Sequence, residues 1–267
     1  MSAGDGTGTV DENGVQQRDP MAVAKFMRLT GPLMKKYFRC ETRGMANIPP
    51  GGALVVSNHS GGTFSMDLPV FMTGFVDEFG PEREMHLLAH DAVLNAPVLG
   101  RILRSWGLVP ASQENAQRVL SEGGVVMVFP GGDYDVSRPF TENNRIDFDG
   151  RKGYVRTAIA AGVPIVPTVS IGGHETQLFI SRGQRLVRLT RLDKLLRARS
   201  TPISFGVPFG FSIAALNLPL PAKIVTSVLP AIDPTDGDVE EVDAKVRAVM
   251  QSELDVLASE RRFPVIG

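Results

Sequence analysis

Three short apolar runs constrain this chain more than any other feature. Ala53–Ser57 (ALVVS), Val125–Phe129 (VVMVF) and Ile165–Ser170 (IVPTVS) are each bounded by glycine, proline or polar residues. They are too short to cross a bilayer, and their β-branched content fits strands buried on both faces. The stretches between them show helical spacing instead. Leu68–Phe79, Val93–Trp106 with an interruption at Pro97, and Gln113–Leu120 behind a Ser112 N-cap are read as helices. A further helix sets Val155, Ala158, Ile159 and Ala160 on one side. Leu87–Ala89 reads as another short strand, and residues 240–259 as a closing amphipathic helix with an acidic start. Alternation of strand and helix predicts an α/β fold: one domain with a mixed, mostly parallel central sheet flanked by helices.

Composition removes several functional classes. With 267 residues, 43% hydrophobic and 21% charged, the chain is neither disordered nor fibrous. Its 28 basic residues against 29 acidic ones leave a formal net charge of -1, which argues against nucleic acid as a partner. The single cysteine, Cys40, permits no internal disulfide and no cysteine-based metal site. No His-Glu-x-x-His spacing occurs, so His86, His90 and His174 are read as structural and no metal is expected. The most apolar stretch, Val207–Leu229, is broken by Pro208, Pro219, Pro221 and Lys223. No secretory signal organisation is seen at the N-terminus. The chain is therefore expected to be soluble or peripheral, in a reducing, cytoplasmic location.

Residues 1–19 are polar and read as a disordered tail, residues 20–44 as a basic amphipathic segment, and residues 45–267 as the domain proper. The second of these carries Lys25, Arg28, Lys35, Lys36, Arg39 and Arg43 against Glu41 alone. Gly31-Pro32 is expected to split it into two short helices. Such a segment suits an anionic membrane surface, and equally suits a helix packed on the domain with solvated lysines. Arg182, Arg185, Arg188, Arg191, Lys194, Arg197 and Arg199 form a second basic stretch with Asp193 as its lone acid. It reads as a helix facing lipid headgroups or coenzyme phosphates, or as a solvated helix face.

Chemistry concentrates in the loops that follow the apolar runs. Asn58-His59-Ser60-Gly61-Gly62-Thr63-Phe64-Ser65-Met66-Asp67 places a histidine at the carboxyl end of a strand, where open α/β sheets hold their ligands. Asp67 falls in the first turn of the next helix, a favourable position for a carboxylate. If the loop folds back, Asp67 can take a hydrogen bond from one ring nitrogen and leave the other free to accept a proton. A purely structural histidine capping the loop fits the same residues. Phe129-Pro130-Gly131-Gly132 ends a second strand with backbone N–H groups that form a possible anion cradle.

Taken in order, NHSGG with Asp67, GLVPASQEN, VFPGGDYD and GVPIVPTVSIGGHE resemble the four blocks of the glycerolipid acyltransferase superfamily. The Pro-Gly-Gly form of the third block, Lys152-Gly153-Tyr154 and the Gly-x-x-Glu after the fourth look more like its monoacylglycerol and diacylglycerol acyltransferase branch. The resemblance implies an O-acyltransferase that moves a fatty acyl chain from acyl-CoA or acyl-carrier protein to a glycerolipid hydroxyl, with no cofactor. It implies His59 as general base and Asp67 as the residue that orients it. By the same resemblance, the substrates are held by Asn58, Ser60, Gly61 and Gly62 of the first block and Ser112 and Gln113 of the second. Pro130, Gly131, Gly132 and Asp135 of the third block, the nearby Arg138 and Lys152, and Glu175 after the fourth complete the set. The family's partners are then acyl-CoA, a glycerolipid acceptor and an anionic membrane surface, with the protein peripheral on the inner face.

The pattern departs from the family in two places. Seven residues separate His59 from Asp67 where the family has four, and Phe64 occupies the usual acidic position. The paired glycines Gly61-Gly62 permit a bulge that restores the geometry. Gln113 and Tyr134 stand where phosphate-binding relatives carry Arg and Glu-Gly-Thr-Arg, which favours an acceptor without a phosphomonoester. Two other classes fit the same blocks: a lipid esterase or thioesterase, against which the missing Gly-x-Ser-x-Gly counts, and an inactive lipid-binding protein of the same fold.

Overall fold

The computed structural model describes residues 18–261 and Phe263, apart from residues 63–64, 90, 137, 140–141, 143, 182–202, 209 and 214–216. Residues 1–17 of the expected tail, the basic stretch over residues 182–199 and His90 lie outside the described residues. Arg18 and Asp19, also expected in the tail, are held instead: Arg18 Nη2 donates to Pro81 O and Asp19 caps α1. Helix α1 (Pro20–Lys36) leads to strands β1 (Glu41–Arg43) and β2 (Ala53–Ser57), then to α2 (Asp67–Phe79) and β3 (Met85–Ala89). Two short helices, α3 (Asp91–Leu94) and α4 (Leu99–Ser105), precede β4 (Leu108–Pro110), α5 (Gln113–Ser121) and β5 (Val125–Val128). Then come α6 (Gly132–Val136), α7 (Gly153–Ala161) and β6 (Ile165–Ile171). The chain finishes with β7 (Leu178–Ser181), β8 (Ile203–Gly206), β9 (Gly210–Ile213), β10 (Val225–Val228) and α8 (Val239–Glu260).

The main sheet has seven strands in the order β1-β10-β6-β2-β5-β3-β4. All run parallel except the β10–β1 edge, because β10 pairs antiparallel with β6. The fold is thus the mixed, mostly parallel α/β architecture that the strand and helix spacing implies. A separate three-stranded antiparallel sheet, β7-β8-β9, was not legible in the sequence.

Strand β2 lies in the middle of the main sheet, and its alternation distributes the core. Leu54 and Val56 face one layer with Val126, Ile165 and Val169, against α5, α7 and α8. Ala53 and Val55 face the other with Val125, Met127 and Val166, against α1 and α2. Both layers exclude water from β2, so its carboxyl end is held rigidly where the chain leaves the sheet.

Two local expectations are corrected. Helix α1 runs unbroken through Gly31-Pro32. Pro32 cannot bond the Arg28 carbonyl, but Arg28 and Pro32 are exposed, so water can take that carbonyl while Met27, Gly31 and Met34 stay buried. On α7 the buried side is Tyr154, Val155, Thr157 and Ala158, whereas Ile159 and Ala160 face solvent. The apolar spacing there pointed one step too far round the helix.

Phe71 of α2 is fully buried between the sheet and Phe75. Phe71→Ala should cost about 3 kcal/mol or more and lower the melting midpoint by roughly 10 °C. Thermal unfolding followed by circular dichroism checks this, and a shift below about 2 °C would contradict the packing described.

Candidate active site

Where β2 ends, Asn58 continues the strand with its side chain. Its Nδ2 donates to Ser170 O (2.8 Å) and its Oδ1 accepts from Ser170 N (2.8 Å), tying the loop to β6. Both ends of the buried amide are therefore used, and Asn58 supports the site rather than touching a ligand. Gly61 and Gly62 follow with φ of 85° and 66°, the left-handed region that favours glycine. They give the loop the bulge that the longer His–Asp spacing requires. Thr63 and Phe64 lie outside the described residues.

The loop folds back onto the first residue of α2. Asp67 Oδ2 accepts from Ser60 N (2.6 Å) and Ser65 Oγ (3.1 Å), and its Oδ1 accepts from Ser60 Oγ (2.8 Å). His59 Nδ1 lies 3.3 Å from Asp67 Oδ2 and 3.3 Å from Ser65 Oγ. The imidazole stacks on Phe129 with centroids 4.2 Å apart and planes inclined by 21°. Its Nε2 has no hydrogen-bond partner among the described residues, and the side chain remains 22% exposed, enough to be reached from outside. Burial alone would raise the Asp67 carboxyl, but hydrogen bonds from His59 and Ser60 outweigh it and hold the group below its ordinary value.

A second buried carboxylate holds the histidine from behind. Asp135 Oδ2 accepts the His59 backbone N–H at 2.7 Å. Its Oδ1 accepts from Arg138 Nε (3.1 Å) and Nη2 (2.8 Å), and Nη2 also reaches Asp147 O (3.1 Å). Arg138 is 1% exposed and turned inward, so it serves Asp135 and is shielded from any acceptor headgroup. Burial pushes the Asp135 carboxyl up, while Arg138 and the His59 amide pull it back.

The other residues singled out in the sequence fall into four groups. Ser112 caps α5 by accepting from Asn115 N (3.1 Å). With Gln113, Pro130, Leu54, Val128 and Tyr154 it lines a largely apolar cavity of about 240 Å³. That cavity includes neither His59 nor Phe129; it is lined by Val128 and Pro130, the residues before and after the ring on which the imidazole stacks. Lys152 pairs with Glu240 at 3.3 Å on a different cavity, one shared with Asp147 and Arg247. Glu175 is buried and bound to Arg261 at 3.0 Å, fastening the end of α8 to the turn after β6. Its carboxylate is spent on that pair, so the expected substrate contact is replaced by a structural one. In the third block, the Gly132 N–H donates to Phe129 O (3.0 Å), and Arg151 Nη1 donates to Gly131 O (3.0 Å).

Three contributors were missed from the sequence. Ser65 and Phe129 have no signature beyond proximity to the first and third blocks. Gly173 belongs to the fourth block, and a Cβ there would press on Ser60 Oγ and lie 2.8 Å from Asp67 Oδ1. Only glycine lets the turn after β6 approach the Asp67 carboxylate. Among the described residues, no group of three or more His, Cys, Asp or Glu side chains is arranged to hold a metal.

The acyltransferase family model matches residues 39–171. An uncharacterised protein of Mycobacterium tuberculosis is 32% identical over 97% of this chain and 72% of its own. Diacylglycerol O-acyltransferase 2 of Dictyostelium discoideum is 28% identical over 62% of this chain and 53% of its own. The crystal structure of the 1-acyl-sn-glycerophosphate acyltransferase PlsC of Thermotoga maritima superposes with a TM-score of 0.60. It shares 18% identity and covers 91% of this chain and 80% of its own, a likeness of fold.

Ionised Asp67 contributes stability above the ordinary aspartate value of about 3.9. That contribution is lost as the pH falls through the lower folded value. Asp67→Asn should therefore cost about 2 kcal/mol at neutral pH, and the gap from the parent should narrow on acidification. Urea titrations across the acid range test this; a gap that is constant or widens at low pH would contradict it.

Proposed function

The chain belongs to the glycerolipid acyltransferase superfamily, and we propose that it transfers a fatty acyl chain from acyl-CoA to the hydroxyl of a glycerolipid acceptor lacking a phosphomonoester, with His59 as general base. The observation that carries this reading is the imidazole itself. Its Nδ1 is set against a buried carboxylate, and its Nε2 has no partner among the described residues on a ring that is still reachable from outside. With the proton on Nδ1, Nε2 takes the acceptor hydroxyl proton as that oxygen attacks the thioester carbonyl. Asp67 stabilises the imidazolium that results. As the tetrahedral oxyanion collapses, the carbon–sulfur bond breaks and the thiolate recovers the proton from Nε2. Gly132 has already spent its N–H on Phe129 O, which leaves the Gly61 and Gly131 amides as candidate oxyanion donors. The cavity lined by Leu54, Leu88, Ala111, Val128 and Pro130 is assigned to an acyl chain, since most of its exposed surface is apolar although Gln113 and Arg151 also line it.

The acceptor assignment rests on where the cations are. A phosphomonoester needs charge-assisted donors, yet Arg138 is sealed against Asp135 and Lys152 is paired with Glu240, while Arg151, the cation lining the cavity, is engaged by Gly131 O (3.0 Å) and Asp149 (3.8 Å). Gln113 lines the cavity where relatives that bind phosphate carry arginine. A monoacylglycerol or diacylglycerol fits such a site better than lysophosphatidate. Peripheral attachment to the inner face of a membrane accompanies this reading, because a bilayer holds the acceptor. The solvent side of α1 supports it, with Lys25, Arg28 and Lys36 among Met21, Leu29 and Leu33. Among the described residues, no helix is long and apolar enough to cross a membrane.

Assays of CoA release and acylated product with monoacylglycerol, diacylglycerol and lysophosphatidate test the proposal. His59→Ala should lower kcat about 10²–10⁴-fold, and the neutral acceptors should match or exceed lysophosphatidate in kcat/KM. Unchanged turnover in His59→Ala would remove the base assignment. A preference for lysophosphatidate above about tenfold, some 1.4 kcal/mol, would overturn the acceptor assignment. Free fatty acid as the sole product would favour the esterase reading instead.

A further inference from the structure

The three-stranded sheet carries apolar side chains that the described residues leave uncovered. In the β8–β9 hairpin, Phe205 and Phe211 are directly paired across the strands, with ring centroids 5.0 Å apart. They are nevertheless 44% and 74% exposed, so the pair buries neither ring. Val207 and Leu218, joined by an antiparallel bridge, are each 59% exposed. A cluster of large apolar side chains in water at one hairpin tip marks an interaction surface.

Its location narrows the partner. The segment after Leu218 is bound to the end of α1: Tyr37 Oη donates to Pro219 O (2.9 Å) and Arg39 Nη2 to Pro221 O (3.0 Å). Leu220 N donates to Thr176 O at 2.8 Å, and a Cβ on Gly61 would lie 3.2 Å from Thr176 Oγ1. The hairpin, the end of α1 and the His59 loop therefore share one edge of the molecule. The exposed side of α1, the helix that ends on this edge, carries Lys36 there and Arg28 and Lys25 further back along it, none of which forms an ion pair among the described residues. Unpaired cations beside exposed aromatic and aliphatic side chains match a surface of anionic headgroups over hydrocarbon. Two rings, a valine and a leucine also expose far less than the roughly 800 Å² that each side of a stable protein interface contributes.

We infer that the β8–β9 hairpin, through Phe205, Val207 and Phe211, inserts into the surface of an anionic phospholipid bilayer and, together with α1, turns the His59 edge toward the lipid. The inference deepens the proposed function, resting on it only for a bilayer-borne acceptor. Its test reads insertion and no chemistry. In a Cys40→Ser background, an environment-sensitive fluorophore is attached to Phe211→Cys, to Leu29→Cys on α1, or to Ser252→Cys on α8. Residue 252 is exposed on the opposite face of the sheet. On adding phosphatidylcholine vesicles containing phosphatidylglycerol, the labels at 211 and 29 should shift to the blue and be quenched by lipid-borne quenchers, while the label at 252 should not. In the otherwise unsubstituted chain, Phe205→Ser with Phe211→Ser should weaken vesicle co-sedimentation by about tenfold or more. Unchanged melting would show that the fold is intact. A response at 29 without one at 211 would overturn the inference. So would a lipid-independent blue shift at 211 that grows with protein concentration, which would make a second copy of the chain the occupant. Insertion without acyl transfer would refute the proposed function and leave this inference standing.

Discussion

The carboxylate of Asp67 is the anion around which the polar end of the sheet is organised. A charge removed from water costs several kcal/mol unless its lone pairs are filled, and here the loop supplies the donors. Ser60 contributes its N–H and its hydroxyl, Ser65 its hydroxyl, and His59 its ring nitrogen. The N-terminal position on α2 adds the exposed amides of the first turn. Satisfying this one group bends the loop back over Gly61 and Gly62 and thereby fixes the imidazole. The extra residues between His59 and Asp67 are absorbed in the bulge, and the pair meets despite them.

A second buried carboxylate works on the same histidine from the backbone side. Asp135 fastens the His59 N–H, Arg138 neutralises Asp135, and Phe129 supports the ring face. Main chain, ring edge and ring face are thus each held by a different element, which leaves Nε2 as the one part of the ring turned outward. This explains why the Gly131-Gly132-Asp133-Tyr134-Asp135 segment keeps an acidic residue although it departs from the Glu-Gly-Thr-Arg pattern. Its carboxylate positions the base instead of meeting a substrate. Pro130 of the same segment and Ser112 after β4 line the apolar cavity, so the base and the cavity both sit where parallel strands end.

Much of this was legible in the sequence, and the reason is physical. Short β-branched runs fix the strands, glycine and proline fix their ends, and a histidine and aspartate at one sheet edge have few other places to go. What sequence could not give was the direction in which side chains point. Asn58, Arg138 and Glu175 lie in the expected blocks, yet each is satisfied by protein groups: Ser170, Asp135 and Arg261. Motif position brings residues together, while hydrogen-bond accounting decides which of them face a ligand. The unbroken α1 was hidden because Pro32 is normally a helix breaker, and the burial of Met27, Gly31 and Met34 outweighs it. The β7-β8-β9 sheet was hidden because the long basic stretch interrupts its strands in sequence.

The account depends on which ring nitrogen of His59 holds the proton. Long-range ¹H–¹⁵N correlation spectra of the histidine-labelled protein measure this directly. A neutral His59 should show a protonated Nδ1 and an unprotonated Nε2, with the Nδ1 proton shifted downfield and lost in Asp67→Asn. A neutral ring protonated on Nε2, or a spectrum indifferent to Asp67→Asn, would contradict the claim that the Asp67 carboxylate prepares this histidine as a base.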